Sequence, residues 1–156
     1  MKHWKDDSLR VYLVTDSNLS KGQSLTDVVK AAVEGGVSCV QLREKHMGTR
    51  DFMALALAIK AVLSAYKVPL VINDRIDIAL ACGAQGVHLG QSDLPVQSAR
   101  KLLPPEVFFL WEDGPVITLT QVLILITTGV VDLPSVGKAR QKPAAVIEII
   151  IEIGRA

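Results

Sequence analysis

The stretch Val37-Ser38-Cys39-Val40-Gln41-Leu42-Arg43-Glu44-Lys45 decides how the rest of the chain is read. It starts as a β-branched apolar run, ends in hydrogen-bonding and charged groups, and is followed by a helical pattern. The same succession recurs downstream. Pro69–Ile72 runs into Asn73-Asp74-Arg75, and Gly86–Leu89 runs into Gly90-Gln91-Ser92-Asp93. Parallel α/β proteins place their chemistry in this way, at the C-terminal ends of strands that each lead into a helix.

Working outward, Leu9–Thr15 reads as a first strand stopping at Asp16. Ser24 is positioned to cap a helix over Leu25–Glu34, with Leu25, Val28, Val29 and Ala32 at helical spacing and Gly35-Gly36 to end it. The second strand is Val37–Leu42. Thr49 is placed to cap a long helix to Tyr66, whose apolar stripe is Phe52, Leu55, Ala56, Ile59, Val62 and Leu63. A third strand (Leu70–Ile72), a short helix (Arg75–Cys82), a fourth strand (Gly86–Leu89) and a helix over Pro95–Leu103 follow, the last capped by Asp93 or Ser92. The unit repeats every ~25 residues, the spacing of a (β/α)₈ TIM barrel. A doubly wound sheet is the rival, disfavoured by the lack of a Gly-x-Gly-x-x-Gly after the first strand.

The pattern changes near residue 106. Glu106–Trp111 suits a fifth strand, but Val116–Val131 carries no charge at all and suits a buried strand or strand pair. Its four threonines and its length argue against a membrane span, which wants about 20 apolar residues. Asp132–Pro143 reads as loop and Ala144–Ile153 as a helix with strong strand propensity. One domain is expected over residues 1–156, with barrel-like units over 9–105 and a divergent tail over 106–156.

Composition narrows the class. Hydrophobic residues make up 49% of the 156 and charged ones 21%, with a net charge of +1. That is an ordinary globular balance with no bulk field toward nucleic acid or membrane. Aromatics at 4% argue further against base-stacking readers. Cys39 and Cys82 lack metal-site spacing and read as buried thiols in a reducing compartment. The polar start, Met1–Arg10, is no signal peptide, so a cytoplasmic location is expected.

Gln41, Arg43 and Lys45 alternate and so share one strand face. Together they form a cradle suited to a diphosphate, whose oxygens accept Arg forks and Lys point charges; a solvated strand end is the plainer reading. Asn73, Asp74 and Asp93 equally suit capping of the helices that follow. Taken together, Asp74 and Asp93 at neighbouring strand ends suit one Mg²⁺, a cation satisfied by one or two carboxylates plus substrate phosphate oxygens. His88, inside the fourth strand, reads first as a hydrogen-bonded structural residue, and His3 and His46 as surface. Nothing forms a nucleophile–base pair or a zinc site.

The motifs Tyr12–Asp16, Gln41–Lys45, Val71–Arg75 and Gly86–Asp93, in this order, resemble thiamine-phosphate synthase over residues 9 to about 105. That resemblance implies a TIM barrel. It implies a Mg²⁺-dependent transferase of thiamine biosynthesis, joining hydroxymethylpyrimidine diphosphate to thiazole phosphate with release of pyrophosphate. By motif matching it implies that Gln41, Leu42, Arg43, Glu44, Lys45 and Asn73 bind the pyrimidine diphosphate, and that Asp74 and Asp93 bind Mg²⁺. Small-molecule substrates are implied; nucleic acid and membrane are not.

The departures bear on both the tail and the function. Where the family has a Gly-Val-Ser-like fifth strand end, this chain has Leu110-Trp111-Glu112, and neither the Thr-x-Thr-Lys segment nor a late Gly-Gly phosphate loop is recognisable; Thr127-Thr128 and Lys138 do not fit the former. A barrel truncated after four to five units is the expectation, since the family needs roughly 200 residues. A changed reading frame near Phe108 accounts for the abrupt loss. A shortened homologue that self-associates through its open edges is the other account. In function, the alternatives to the synthase are an inactive or regulatory pyrimidine-diphosphate binder without the thiazole site, and a thiazole tautomerase-like protein.

Overall fold

The computed structural model describes residues 11–17, 20, 22–111, 123–127 and 149–151. In chain order the elements are β1 (Val11–Val14), α1 (Leu25–Glu34), β2 (Cys39–Leu42), α2 (Thr49–Tyr66), β3 (Leu70–Asn73), α3 (Ile76–Cys82), β4 (Gly86–Leu89), α4 (Val96–Leu102), β5 (Phe108–Trp111), β6 (Leu123–Thr127) and β7 (Ile149–Ile151). The strands form one sheet in the order β5-β4-β3-β2-β1-β6-β7, and every pairing is parallel. The expected β-α alternation therefore holds through β5. β6 then crosses to the far side of the sheet and pairs with β1, Val11 opposite Leu123 and Val14 opposite Ile126.

Strand periodicity sorts the side chains into two sets. On one face Leu13, Val40, Leu42, Leu70, Ile72, Val87, Leu89 and Phe109 pack against the buried stripes of α1 to α4, among them Val29, Phe52, Ile59, Ile78 and Ala99. On the other face Tyr12, Cys39 and Val71 form a separate, smaller cluster, with Val14, Phe108 and Leu110 packed on it. Helix residues occur only in the first cluster. A doubly wound sheet would have helices on both faces, so that rival is set aside for the described residues.

The helix stops are local backbone chemistry. α1 runs into Gly35 and then Gly36 at φ 106, and α3 ends on Gly83 at φ 65; both positive angles suit a residue without Cβ. α2 ends on Lys67, held left-handed at φ 57. On the inner face Gly86 lies opposite Phe108, and a Cβ there would meet the Phe108 ring at 2.4 Å. The glycine is what lets that ring lie across β4.

Several expectations are corrected. Gly48, not Thr49, caps α2. Ser24 does cap α1 by position, but its hydroxyl pairs with Thr26 Oγ1 at 2.5 Å, while its carbonyl accepts from Asp27 and Val28. α4 is capped by Pro95, and neither Ser92 nor Asp93 serves there. Ile149–Ile151 is a strand and not part of a helix, because its β-branched residues complete the ladder beside β6. The charge-free stretch contributes β6 as expected. The readings of Met1–Arg10, Glu112, Thr128, the Asp132–Pro143 loop and Lys138 fall outside the described residues. Among the described residues no helix is long and apolar enough to cross a membrane. Cys39 and Cys82 are buried free thiols.

Candidate functional site

The C-terminal ends of β1 to β4 converge, and each contributes polar groups. Helix capping does not explain these groups. α3 is capped by Arg75 and α4 by Pro95, in both cases without a side-chain cap hydrogen bond. Asn73, Asp74 and Asp93 are thus free of the local role that their residue types most often fill.

The deepest layer is a chain of amides. Gln41 and Asn73 are only 3% and 6% exposed. Gln41 Nε2 donates to Asn73 Oδ1 at 2.7 Å, and Gln41 Oε1 accepts from the Tyr12 hydroxyl at 2.5 Å. His88 Nδ1 lies 3.1 Å from the same Asn73 oxygen. His88, read from sequence as structural, therefore joins the cluster. Buried amides so closely paired are costly to leave unmatched, which makes the arrangement rigid.

Above this layer lie the cations. Arg43 is half-buried, and its Nη1 meets Asp16 Oδ2 at 3.1 Å. The exit of β1 braces the exit of β2 at two more points: Thr15 N–H donates to Gln41 O at 3.0 Å, and Arg43 N–H donates to Thr15 Oγ1 at 3.3 Å. Lys45 is exposed at the rim. Glu44 turns toward β1's exit and accepts from Ser17 Oγ. Leu42 is a correction to the expected set. Its side chain is fully buried in the core between sheet and helices, because period 2 points it away from Gln41 and Arg43. His46 is exposed, as expected.

The carboxylates complete the edge. Asp74 adopts a left-handed backbone at φ 61, and its N–H donates to His88 O at 2.9 Å. Such a conformation at a non-glycine residue is uncommon and concentrates at functional sites. Asp93 Oδ2 accepts from Gly90 N–H at 2.7 Å, which closes the loop after β4. The two carboxyls share a side-chain hydrogen bond. Burial, that hydrogen bond and the repulsion of Asp93 push Asp74 up to about 6, against the pull of Lys45 and Arg43.

A pH dependence follows. The native state holds the Asp74 proton more tightly than the unfolded chain, whose carboxyl titrates near 3.8. The native state therefore binds more protons between the two values, and stability from this group declines as pH rises through that window to about 6. In metal-free buffer the wild type is expected to lose melting temperature between about pH 4 and about pH 7, and Asp74→Asn to flatten that part of the profile. Parallel profiles for the two proteins would refute the assignment.

The donor set fits a hard divalent cation. Among the described residues no group of three or more His, Cys, Asp or Glu is poised to hold a metal. The pair Asp74–Asp93 is what the edge offers. Mg²⁺ keeps most of its waters and takes one or two carboxylates, with phosphate oxygens supplied by a ligand. Two neighbouring carboxyls whose repulsion helps to push Asp74 up suit that demand.

Residues 11–109 match the family described as thiamine monophosphate synthase. The chain belongs to that family. The thiamine-phosphate synthase of Albidiferax ferrireducens is 68% identical over 104 residues, covering 67% of this chain and 48% of that protein. That of Clostridium novyi is 52% identical over 98 residues, covering 63% and 48%. The chain thus spans about half the length of these curated relatives. Among solved structures, the thiamine phosphate pyrophosphorylase of Pyrococcus furiosus superposes with a TM-score of 0.63 at 19% identity, covering 84% of this chain and 83% of that one. The thiamine monophosphate synthase match ends at Phe109, inside β5.

The sequence missed Tyr12, Thr15, Asp16 and Ser17 as contributors. Alternation along β1 puts Tyr12 and Val14 on one face, but only the register Val14 opposite Gln41 reveals that this face is the one carrying the amides.

Proposed function

We propose that this chain carries the pyrimidine-diphosphate half of a thiamine-phosphate synthase. One observation carries the reading. Two carboxylates in contact, Asp74 and Asp93, lie under the influence of Arg43 and Lys45, on the strand edge that also holds the buried Gln41–Asn73 pair. The reading extends the parallel sheet to a (β/α)₈ barrel in the intact enzyme, a cytoplasmic transferase acting on small molecules.

In this reading Gln41 and Asn73 hold the aminopyrimidine ring through their amides. Arg43 and Lys45 take the diphosphate oxygens, Arg43 exchanging or sharing its contact with Asp16. Asp74 and Asp93 would hold Mg²⁺, which would offset the repulsion between them. When bound there, Mg²⁺ would supply charge neutralisation for a leaving diphosphate. The C–O bond to pyrophosphate then breaks with little need for a strong base, and the thiazole nitrogen takes up the pyrimidinylmethyl group. The absence of a nucleophile–base pair is consistent with such a step. Thiamine phosphate and pyrophosphate are the products.

A second reading, a pyrimidine-diphosphate binder without the thiazole site, is favoured by β5. That strand ends in Leu110-Trp111, where a small hydroxyl would serve the substrates. Calorimetry separates the readings. Hydroxymethylpyrimidine diphosphate should bind only with Mg²⁺ under both. Thiazole phosphate should bind, and thiamine phosphate form, only under the first. No Mg²⁺-dependent binding of the diphosphate would sink both.

A further inference from the structure

The hydrogen-bond chain at the base of the site takes one side chain from each of four consecutive strands: Tyr12 from β1, Gln41 from β2, Asn73 from β3 and His88 from β4. Three of the four can point either way. An amide presents oxygen or nitrogen to a neighbour with almost the same shape, and an imidazole carries its proton on either nitrogen. Which groups the chain presents to a ligand depends on which way all three settle.

Tyr12 breaks that degeneracy. Its ring is buried with Cys39 and Val71, and the hydrogen bond described for its hydroxyl is the one to Gln41. A buried O–H left without an acceptor costs on the order of 1–3 kcal/mol. Gln41 must therefore turn Oε1 toward Tyr12. Its Nε2, which can only donate, then faces Asn73, so Asn73 must present Oδ1. That oxygen also faces His88 Nδ1 at 3.1 Å, so Nδ1 must carry the imidazole proton. In the reversed chain Gln41 and Asn73 would still be paired with each other, and the Tyr12 proton would be stranded. We infer that Tyr12 is a positioning residue whose single hydroxyl sets the orientation of the Gln41 and Asn73 amides and the tautomer of His88, and so the donor–acceptor pattern that the site offers a heteroaromatic ring. Burial keeps the phenol in its protonated form, well above the ordinary range.

The consequence for ligands is selectivity. With the chain set this way, Asn73 keeps its Nδ2 hydrogens for a ligand acceptor, such as a ring nitrogen. A ring presenting a donor at that position meets another donor and is rejected.

The test reads the tautomer directly and the ligand separately. In ¹⁵N-histidine-labelled protein at about pH 8, where an ordinary imidazole is neutral, His88 should be the Nδ1–H tautomer. Free histidine prefers the other form. Tyr12→Phe removes only the hydroxyl and should turn His88 into a tautomer mixture while the cooperative melt is retained. Gln41→Glu keeps an acceptor for Tyr12 but removes the donor to Asn73. It should invert Asn73 and drive His88 to Nε2–H, and it serves if Tyr12→Phe does not fold. An Nε2–H wild type, or a tautomer unmoved in whichever variant folds, overturns the inference. The ligand arm rests on the proposed function: Tyr12→Phe should weaken Mg²⁺-dependent binding of hydroxymethylpyrimidine diphosphate about tenfold, the loss of roughly one net hydrogen bond. If the wild type does not bind that ligand, the functional reading fails and the tautomer measurement still decides the role of Tyr12.

Discussion

Asp74→Ala is expected to weaken Mg²⁺-dependent binding of hydroxymethylpyrimidine diphosphate by at least about a hundredfold, because removing an outer partner of a metal ligand already costs roughly 10–100-fold and this change removes a proposed ligand itself. The edge offers two carboxylates, and no third group poised for a metal occurs among the described residues. In the proposed site, Asp93 would then be the one carboxylate left to the cation, with water and phosphate completing its shell. The same change is expected to move stability the other way. Asp74 is pushed up partly by the repulsion of Asp93, so deleting it relieves a like-charge contact near neutral pH in metal-free buffer. Calorimetry with and without Mg²⁺, paired with thermal melts in chelator, measures both. Binding within threefold of wild type would remove Asp74 from the metal site. A melting temperature that drops with binding intact would make Asp74 a structural residue.

Phe52→Ala is expected to destabilise the fold by about 3–5 kcal/mol, a large share of the roughly 5–15 kcal/mol that holds a domain together. Phe52 is fully buried in the cluster that joins the helices to the sheet, and it belongs to α2, the longest helix. Its removal leaves a cavity that backbone on several sides cannot close. Urea melts followed by circular dichroism give the size. Leu57→Ala, on the same helix but 48% exposed, is the control and should stay within about 0.5 kcal/mol. Equal effects at the two positions would mean that α2 does not pack as described.

Much of this was legible in the chain because it is written in local patterns. Leu25, Val28, Val29 and Ala32 repeat at the helical period, and all six of the α2 stripe residues singled out are buried or packed on the core as that period requires. Asn73 and Asp74 follow directly on an apolar run and Asp93 comes four residues after one, so their place at strand ends needed no tertiary information. Local pattern failed where residue type and neighbourhood compete. Thr49, Ser92 and Asp93 are good capping residues by chemistry, yet Gly48 and Pro95 hold the capping positions. Leu42 lies between Gln41 and Arg43 in sequence, and the pleat sends it to the core on the opposite face. Ile149–Ile151 sits in a run that is apolar enough for a helix, and its pairing with β6 makes it a strand.

The sequence by itself determined the β-α alternation through β5, the family, and which strand ends carry acids, amides and cations, since each rests on residue type and on spacing within one segment. Only the tertiary structure decided that the helices of the described residues lie on one face of the sheet, that β6 pairs with β1, and that Tyr12, Gln41, Asn73 and His88 form one hydrogen-bonded chain. The reason is register. Which residues meet across strands depends on how neighbouring strands slide past one another, and a shift of one residue sends every side chain to the opposite face. No single segment contains that choice, so the site's edge could be read before folding and its contacts could not.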